Sequence, residues 1–165
     1  VYDLFLYEGC RSRPDLSELA DTLPILRTEA FLERVTSPFP GFLELSLEKE
    51  VVLQLARALK SSGKLGLYLL EGYRTPTISE AFALEVGERE RAKLIAESPE
   101  LTFYPPRVNP RKLIWWEVTI GCKEWSDAGV LPGAIILWVD KLDGHVWDDQ
   151  EMDEFLRDQP LTRIK

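Results

Sequence analysis

LIWWEVTI at residues 113–120, AIILWVDKL at 134–142 and DGHVW at 143–147 decide the fold. In the first run Ile114, Trp116, Val118 and Ile120 share one side of an extended chain, with Trp115, Glu117 and Thr119 on the other. That period of two belongs to a strand with one buried face. The second run is apolar and strand-sized, and Asp143-Gly144 after it is a type I′ hairpin signal. The spacing therefore predicts Leu113–Ile120 antiparallel to Ala134–Leu142, which turns at Asp143-Gly144 to pair with His145–Trp147. In that arrangement Trp115 and Trp138 form a cross-strand aromatic pair on the second face of the sheet. Large aromatics are mostly buried, so the core is the expected place for them. With that face uncovered, they become a platform for a partner.

Outward from this hairpin, the N-terminal side reads mainly as helix. Val1–Tyr7 is a short strand rich in aromatic and branched residues, and the polar turn Glu8 to Ser12 follows it. Leu16, Leu19 and Leu23 repeat at helical spacing up to Pro24, and Thr28 caps a second helix carrying Phe31, Leu32 and Val35. Residues 37–41, SPFPG, form a loop. Ser46 opens the clearest helix, with Leu47, Val51, Leu55 and Leu59 as its inward stripe and Gly63 at its C-cap. Leu65–Leu70 reads as a buried strand. Thr77-Ile-Ser-Glu80 reads as a capping box for a helix through Phe82 and Val86, with Gly87 as a bend or stop and a charged continuation to Glu97. Residues 98–111 carry four prolines and read as an extended connection. After the hairpin, Asp148 and Glu151 cap a last helix with Met152, Phe155 and Leu156 inward, ended by Pro160. The expectation is one α+β domain over residues 1–165. Its antiparallel sheet has helices mainly on one face, and its C-terminal hairpin leads into a short acidic helix.

Composition narrows the function. The chain has 165 residues, 45% hydrophobic and 29% charged, the mixture of a globular domain. No apolar run approaches the roughly 20 residues of a spanning helix, so no membrane role is expected. The opening residues lack the basic, apolar, small-residue order of a signal peptide. Cys10 and Cys122 show neither a disulfide framework nor metal-ligand spacing, which favours a reducing cytoplasm, with one Cys10–Cys122 bridge the lesser alternative. The net charge of −8 argues against a nucleic-acid partner, because neutralising phosphates needs clustered Lys and Arg. The charge is also uneven. Residues 143–158 hold Asp143, Asp148, Asp149, Glu151, Asp153, Glu154 and Asp158 against Arg157 alone, a net −6.

Catalytic chemistry has few footholds here. Phosphate-loop and nucleophile-elbow patterns are missing, and no cofactor is expected. Any histidine mechanism must use His145, the one histidine in the sequence. A Cys122–His145 pair at one end of the sheet would supply an activated thiolate, though cysteine is more often a small buried hydrophobe. Gly72-Tyr-Arg-Thr75 precedes a capped helix and would aim Arg74 at an anion, although an ordinary turn feeding a cap explains it as well. The acids after Trp147 lack the spacing and glycine of a calcium loop, and no metal site is assigned there.

Pro132 to Trp147 and the helix after it, a strand, Val-Asp-Lys, an Asp-Gly turn, a strand and a helix, resembles the final hairpin of some small bacterial immunity proteins over a small part of the chain. The leading expectation is a non-enzymatic binding module, whether inhibitor, immunity protein or assembly factor. It would dock a basic protein surface through Asp149, Glu151, Asp153, Glu154 and Asp158, with Trp115 and Trp138 as aromatic contacts. The alternatives are a small enzyme around Cys122/His145 or Arg74, and a structural subunit that hides the two tryptophans in a larger complex.

Overall fold

The computed structural model describes residues 1–7 and 41–159. Cys10 and the two helices expected before Pro38 lie outside them. The described chain is α+β, with helices and two antiparallel sheets. It falls into two compact units, one formed from residues of 1–75 and 150–165, the other Pro76–Asp149.

In the first unit, β1 (Tyr2–Leu6) pairs antiparallel with β2 (Gly66–Leu70). The other edge of β1 is lined by residues 41–47, through bridges from Tyr2 to Leu47 and from Phe5 to Phe42. Between those bridges this segment leaves the strand path, because Glu44 and Ser46 adopt φ of 60° and 49°. The departure turns the Glu44 and Leu45 N–H groups onto one carboxylate, that of Asp3, at 2.9 and 2.8 Å. Successive N–H groups around a left-handed residue form an anion-holding concavity, and here the anion is internal. Asp3 is fully buried and also accepts from Leu4 N–H at 2.7 Å and Arg74 Nε at 2.7 Å.

Helix α1 (Lys49–Ser61) packs Val52, Leu55, Ala56 and Leu59 against Leu4, Leu6, Leu43, Leu45 and Tyr68. Leu55 and Leu59 of the expected stripe are buried as read. Val51 is only half-buried, and Leu47 lies before the helix, where it pairs with Tyr2. Ser46 does not open the helix, since Glu48 is the N-cap and the Ser46 hydroxyl accepts from Arg74 Nη1. At the other end Gly63 N–H bonds Lys60 C=O and Lys64 N–H bonds Leu59 C=O, the paired closure that needs a left-handed residue, and Gly63 has φ +81°.

The second unit is a four-stranded antiparallel sheet, in the order β3 (Arg107–Asn109), β4 (Trp115–Gly121), β5 (Ala134–Asp140), β6 (Val146–Trp147). The pairings expected around the hairpin are present: Trp115 faces Asp140 and Gly121 faces Ala134 across β4–β5, while Trp138 faces Trp147 across β5–β6. β3 is an edge strand that the proline-rich stretch concealed. Helix α2 (Glu80–Glu97) covers the face carrying Val118 and Val139, with Phe82, Ala83 and Val86 packed on it. Its N-cap is Ser79, whose hydroxyl accepts from Phe82 N–H, rather than Thr77, whose hydroxyl donates to Leu142 C=O. Gly87 does not end the helix, which runs on to Glu97. A Cβ there would come within 2.7 Å of Val118 and 2.8 Å of Pro106, so it is a point of close helix–sheet approach. The short helix α3 (Lys123–Asp127) joins β4 to β5.

Helix α4 (Asp149–Asp158) follows β6. Met152 and Phe155 are half-buried, whereas Leu156, expected inward, is 45% exposed. Gln159 then reaches β2: its side-chain amide donates to Tyr68 C=O and accepts from Tyr68 N–H, both at 3.1 Å, on the edge of β2 where no described strand pairs. No described helix is long and apolar enough to cross a membrane.

Candidate functional site

The end of the second sheet formed by the start of β4, the end of β5 and β6 gathers most of the chemistry-bearing residues. Residues directly opposite in an antiparallel pair share a face. Trp115 therefore lies with Asp140, Trp138 with Glu117, and Trp147 with Trp138, all on the face opposite α2. The Trp115 ring meets Trp138 at 5.7 Å and 64°, and Trp147 at 5.2 Å and 82°, both edge-to-face. Lys112 adds a cation 5.5 Å from the Trp138 ring centre and pairs with Glu117 at 3.3 Å. The expected Trp115–Trp138 pair forms, and Trp147 extends it to three rings. All three are half-buried, between the core and the open platform.

The β5–β6 connection is the five residues Lys141–His145, instead of a two-residue type I′ turn. Asp140 N–H bonds His145 C=O and Gly144 N–H returns to Asp140 C=O. Gly144 has φ +80°, and a Cβ on it would come within 2.6 Å of the Phe82 ring, so helix α2 and the loop fix each other. Asp140, 2% exposed, accepts from Leu142 N–H at 2.6 Å and from Trp147 Nε1 at 2.7 Å. Asp143 Oδ1 accepts from His145 N–H at 3.0 Å and meets His145 Nδ1 at 2.6 Å. The His145 backbone N–H, and then its ring, hold the Asp143 carboxyl below the usual aspartate range. The imidazole is stacked on Trp147 at 5.8 Å and 13°.

Asp140, Asp143 and His145 each place one ligand atom within 4.8 Å of the other two. This grouping escaped the sequence reading, which paired His145 with Cys122. Its signal is the spacing Asp-x-x-Asp-x-His across an expected turn.

Next to this loop Lys141 is buried, 1% exposed, with its ammonium donating to Pro110 C=O at 3.1 Å and to Lys112 C=O, 4.5 Å from the Trp116 ring centre. Its backbone C=O accepts from Thr77 and Ile78 N–H, tying the start of α2 to the sheet. Burial disfavours the charged form and pushes its pKa down from 10.5 to about 8. Between those values the unfolded chain binds the proton and the native one releases it, so stability rises with pH. Denaturation midpoints should therefore climb from pH 8 to pH 10. The full linkage is up to about 3 kcal/mol at 1.36 kcal/mol per unit. Lys141→Met should flatten that climb. Above pH 10 the exposed Tyr7 and the buried Tyr68, whose pKa values desolvation raises, reverse the trend, because the unfolded chain loses those protons first. A wild-type profile flat between pH 8 and 10 would contradict this account of Lys141.

Cys122 and His145 lie at opposite ends of the sheet, and Arg74 is paired within the chain. Cys122 follows the Gly121 end of β4, while His145 lies beyond the Asp140 end of β5, which pairs with Trp115. The two are on the order of 20 Å apart, at about 3.3 Å per strand residue. Cys122 is a fully buried free thiol packed with Phe103 and Ile120. Arg74 sits in a 3₁₀ turn, Glu71–Arg74, and is held by Asp3, Ser46 and, at 3.7 Å, Glu71. Its anion belongs to the chain itself.

The acids named for a partner, Asp149, Glu151, Asp153, Glu154 and Asp158, are all exposed on α4, as are Asp143 and Asp148 before it. Glu154 accepts from Gln150 at 2.8 Å, and Asp149, Asp153 and Asp158 take no ion pair with a described residue. Compared with protein-family models, curated proteins and solved structures, the chain matches none.

Proposed function

We propose that this chain is a non-enzymatic protein-binding module that docks a basic protein surface through the acidic segment Asp143–Asp158. The observation that supports this is the exposure of all seven acids in a segment of net charge −6. Helix stability accounts for some of them, since acids in a first turn interact well with the helix dipole. It does not account for Glu154 or Asp158, which lie toward the C-terminus where negative charge is unfavourable. Concentrated charge of one sign speeds encounter with a complementary surface and rejects like-charged ones. Inhibitors, immunity proteins and assembly factors share this physics.

Asp153→Asn combined with Glu154→Gln tests it. Stability should stay within about 0.5 kcal/mol of wild type, the range for surface changes. Association with the basic partner recovered from the source cell should slow at low salt, and the deficit should shrink as salt screens the field. Equal association rates for wild type and double variant at low salt would remove the acidic helix from recognition.

A further inference from the structure

We infer, resting on the docking reading above, that the basic partner is taken up as an added β-strand on the open edge of β5 at Ala134–Leu137. Along an antiparallel strand the backbone groups of successive residues turn to opposite neighbours. Lys141 N–H bonds Ile114 C=O and Cys122 N–H bonds Gly133 C=O, so the odd-numbered residues of β5 serve β4. Asp140 N–H bonds His145 C=O, so the even-numbered ones face β6. That strand ends at Trp147, opposite Trp138, and the chain then enters α4 at Asp149. The N–H and C=O groups of Ala134 and Ile136 therefore point outward past the end of β6, where no described strand pairs with them.

Open strand edges invite pairing, and proteins guard them with proline, charge or a covering group. Two other edges of this chain are guarded. β3 lies between Pro106 and Pro110 and carries exposed Arg107, with Arg111 and Lys112 just beyond. On β2 the Gln159 amide occupies the outward groups of Tyr68. Ala134-Ile-Ile-Leu137 has neither proline nor charge, and its setting is apolar. Ile136 is exposed, as is Val130, and Leu131 just before the strand is 91% exposed. Outward N–H and C=O groups in this order select an extended backbone over a helix. Charge then selects which one. Asp148 and Asp149, both exposed, directly follow Trp147 and mark the end of the edge nearest β6. A second copy would bring a net charge of −8 and its own Asp148-Asp149 pair against them. A strand alternating basic and branched apolar residues instead meets the acids with opposite charge and covers Ile136.

The blocked hexapeptide Lys-Val-Lys-Val-Lys-Val, titrated into the full chain and followed by amide proton exchange, tests this. In the free chain the Ala134 and Ile136 amides should exchange faster than those of Ile135 and Leu137, which β4 holds. With peptide bound, the first two should slow toward the others. The same peptide N-methylated at its central lysine and valine keeps its charge but has both edges blocked. It should bind about tenfold or more weakly, because a methyl on the paired edge removes a hydrogen bond and holds the strands apart. Ile136→Pro removes an outward N–H that β4 does not use, since Ile136 and Thr119 form a non-hydrogen-bonded pair, and should weaken the plain peptide similarly. Should that variant unfold, the methylated peptide on wild type decides alone. Equal affinity of methylated and plain peptides would overturn strand addition and leave the acidic docking standing, since charge alone would then hold the peptide. Equal affinity for the Glu-Val counterpart would overturn the basic occupant, and the docking reading with it. Exchange at Ala134 and Ile136 that slows as the free chain is concentrated would assign the edge to a second copy and overturn the proposal.

Discussion

Asp3→Ala should cost about 3–5 kcal/mol of folding stability, the range for removing one partner of a buried charge pair. Asp3 is the hub on which residues 41–47 are built. Its four bonds use the full acceptor capacity of a carboxylate, three from backbone N–H groups and one from Arg74. With alanine there, the Leu4, Glu44 and Leu45 N–H groups and the Arg74 Nε lose that acceptor together. The positive φ at Glu44 and Ser46 is sustained by that anion, and such backbone strain persists only when the surroundings over-determine it. Asp3→Asn should recover little, since its amide NH₂ faces N–H donors. Urea unfolding with an unchanged slope would register the loss as stability rather than altered compactness. A cost below about 1 kcal/mol, that of an ordinary hydrogen bond, would mean the strand path does not depend on the carboxylate.

This hub also marks where reading from sequence stops. The pairing of β4, β5 and β6 was legible because alternation and an Asp-Gly turn are local signals, and the Trp115–Trp138 contact follows from register alone. Nothing local in Phe42 to Leu47 announces that an aspartate some forty residues earlier supplies its acceptors. Thr77 reads as a cap, yet its hydroxyl is taken by Leu142 C=O, and the cap passes to Ser79. Cys122 directly follows β4 and His145 directly precedes β6, and only the register of β4 with β5 shows that these ends are opposite. The hairpin triad was missed because the Asp-Gly pair was spent on turn geometry. The same register that separates His145 from Cys122 brings it to Asp140.

Leu59→Ala should cost about 2–5 kcal/mol, the range for a leucine truncated in a packed core. The choice of Leu59 follows from helix geometry. A row at i, i+4 advances 400° per step at about 100° per residue, so it drifts about 40° around the helix each time. The expected row Leu47, Val51, Leu55, Leu59 therefore cannot stay on one face over three steps. The buried set is Val52, Leu55, Ala56 and Leu59, at i, i+3, i+4 and i+7, which holds a single stripe. Leu59 is fully buried among Leu4, Leu6, Leu43 and Tyr68 or their neighbours in one cluster, and its carbonyl also closes the helix end through Lys64. Truncation there opens a cavity in a layer bounded by sheet on one side and helix on the other, where collapse is limited. Val51→Ala, one residue off the stripe and half-buried, should cost clearly less in the same denaturation series. Equal losses at Val51 and Leu59 would place the helix in another rotation and sink this packing.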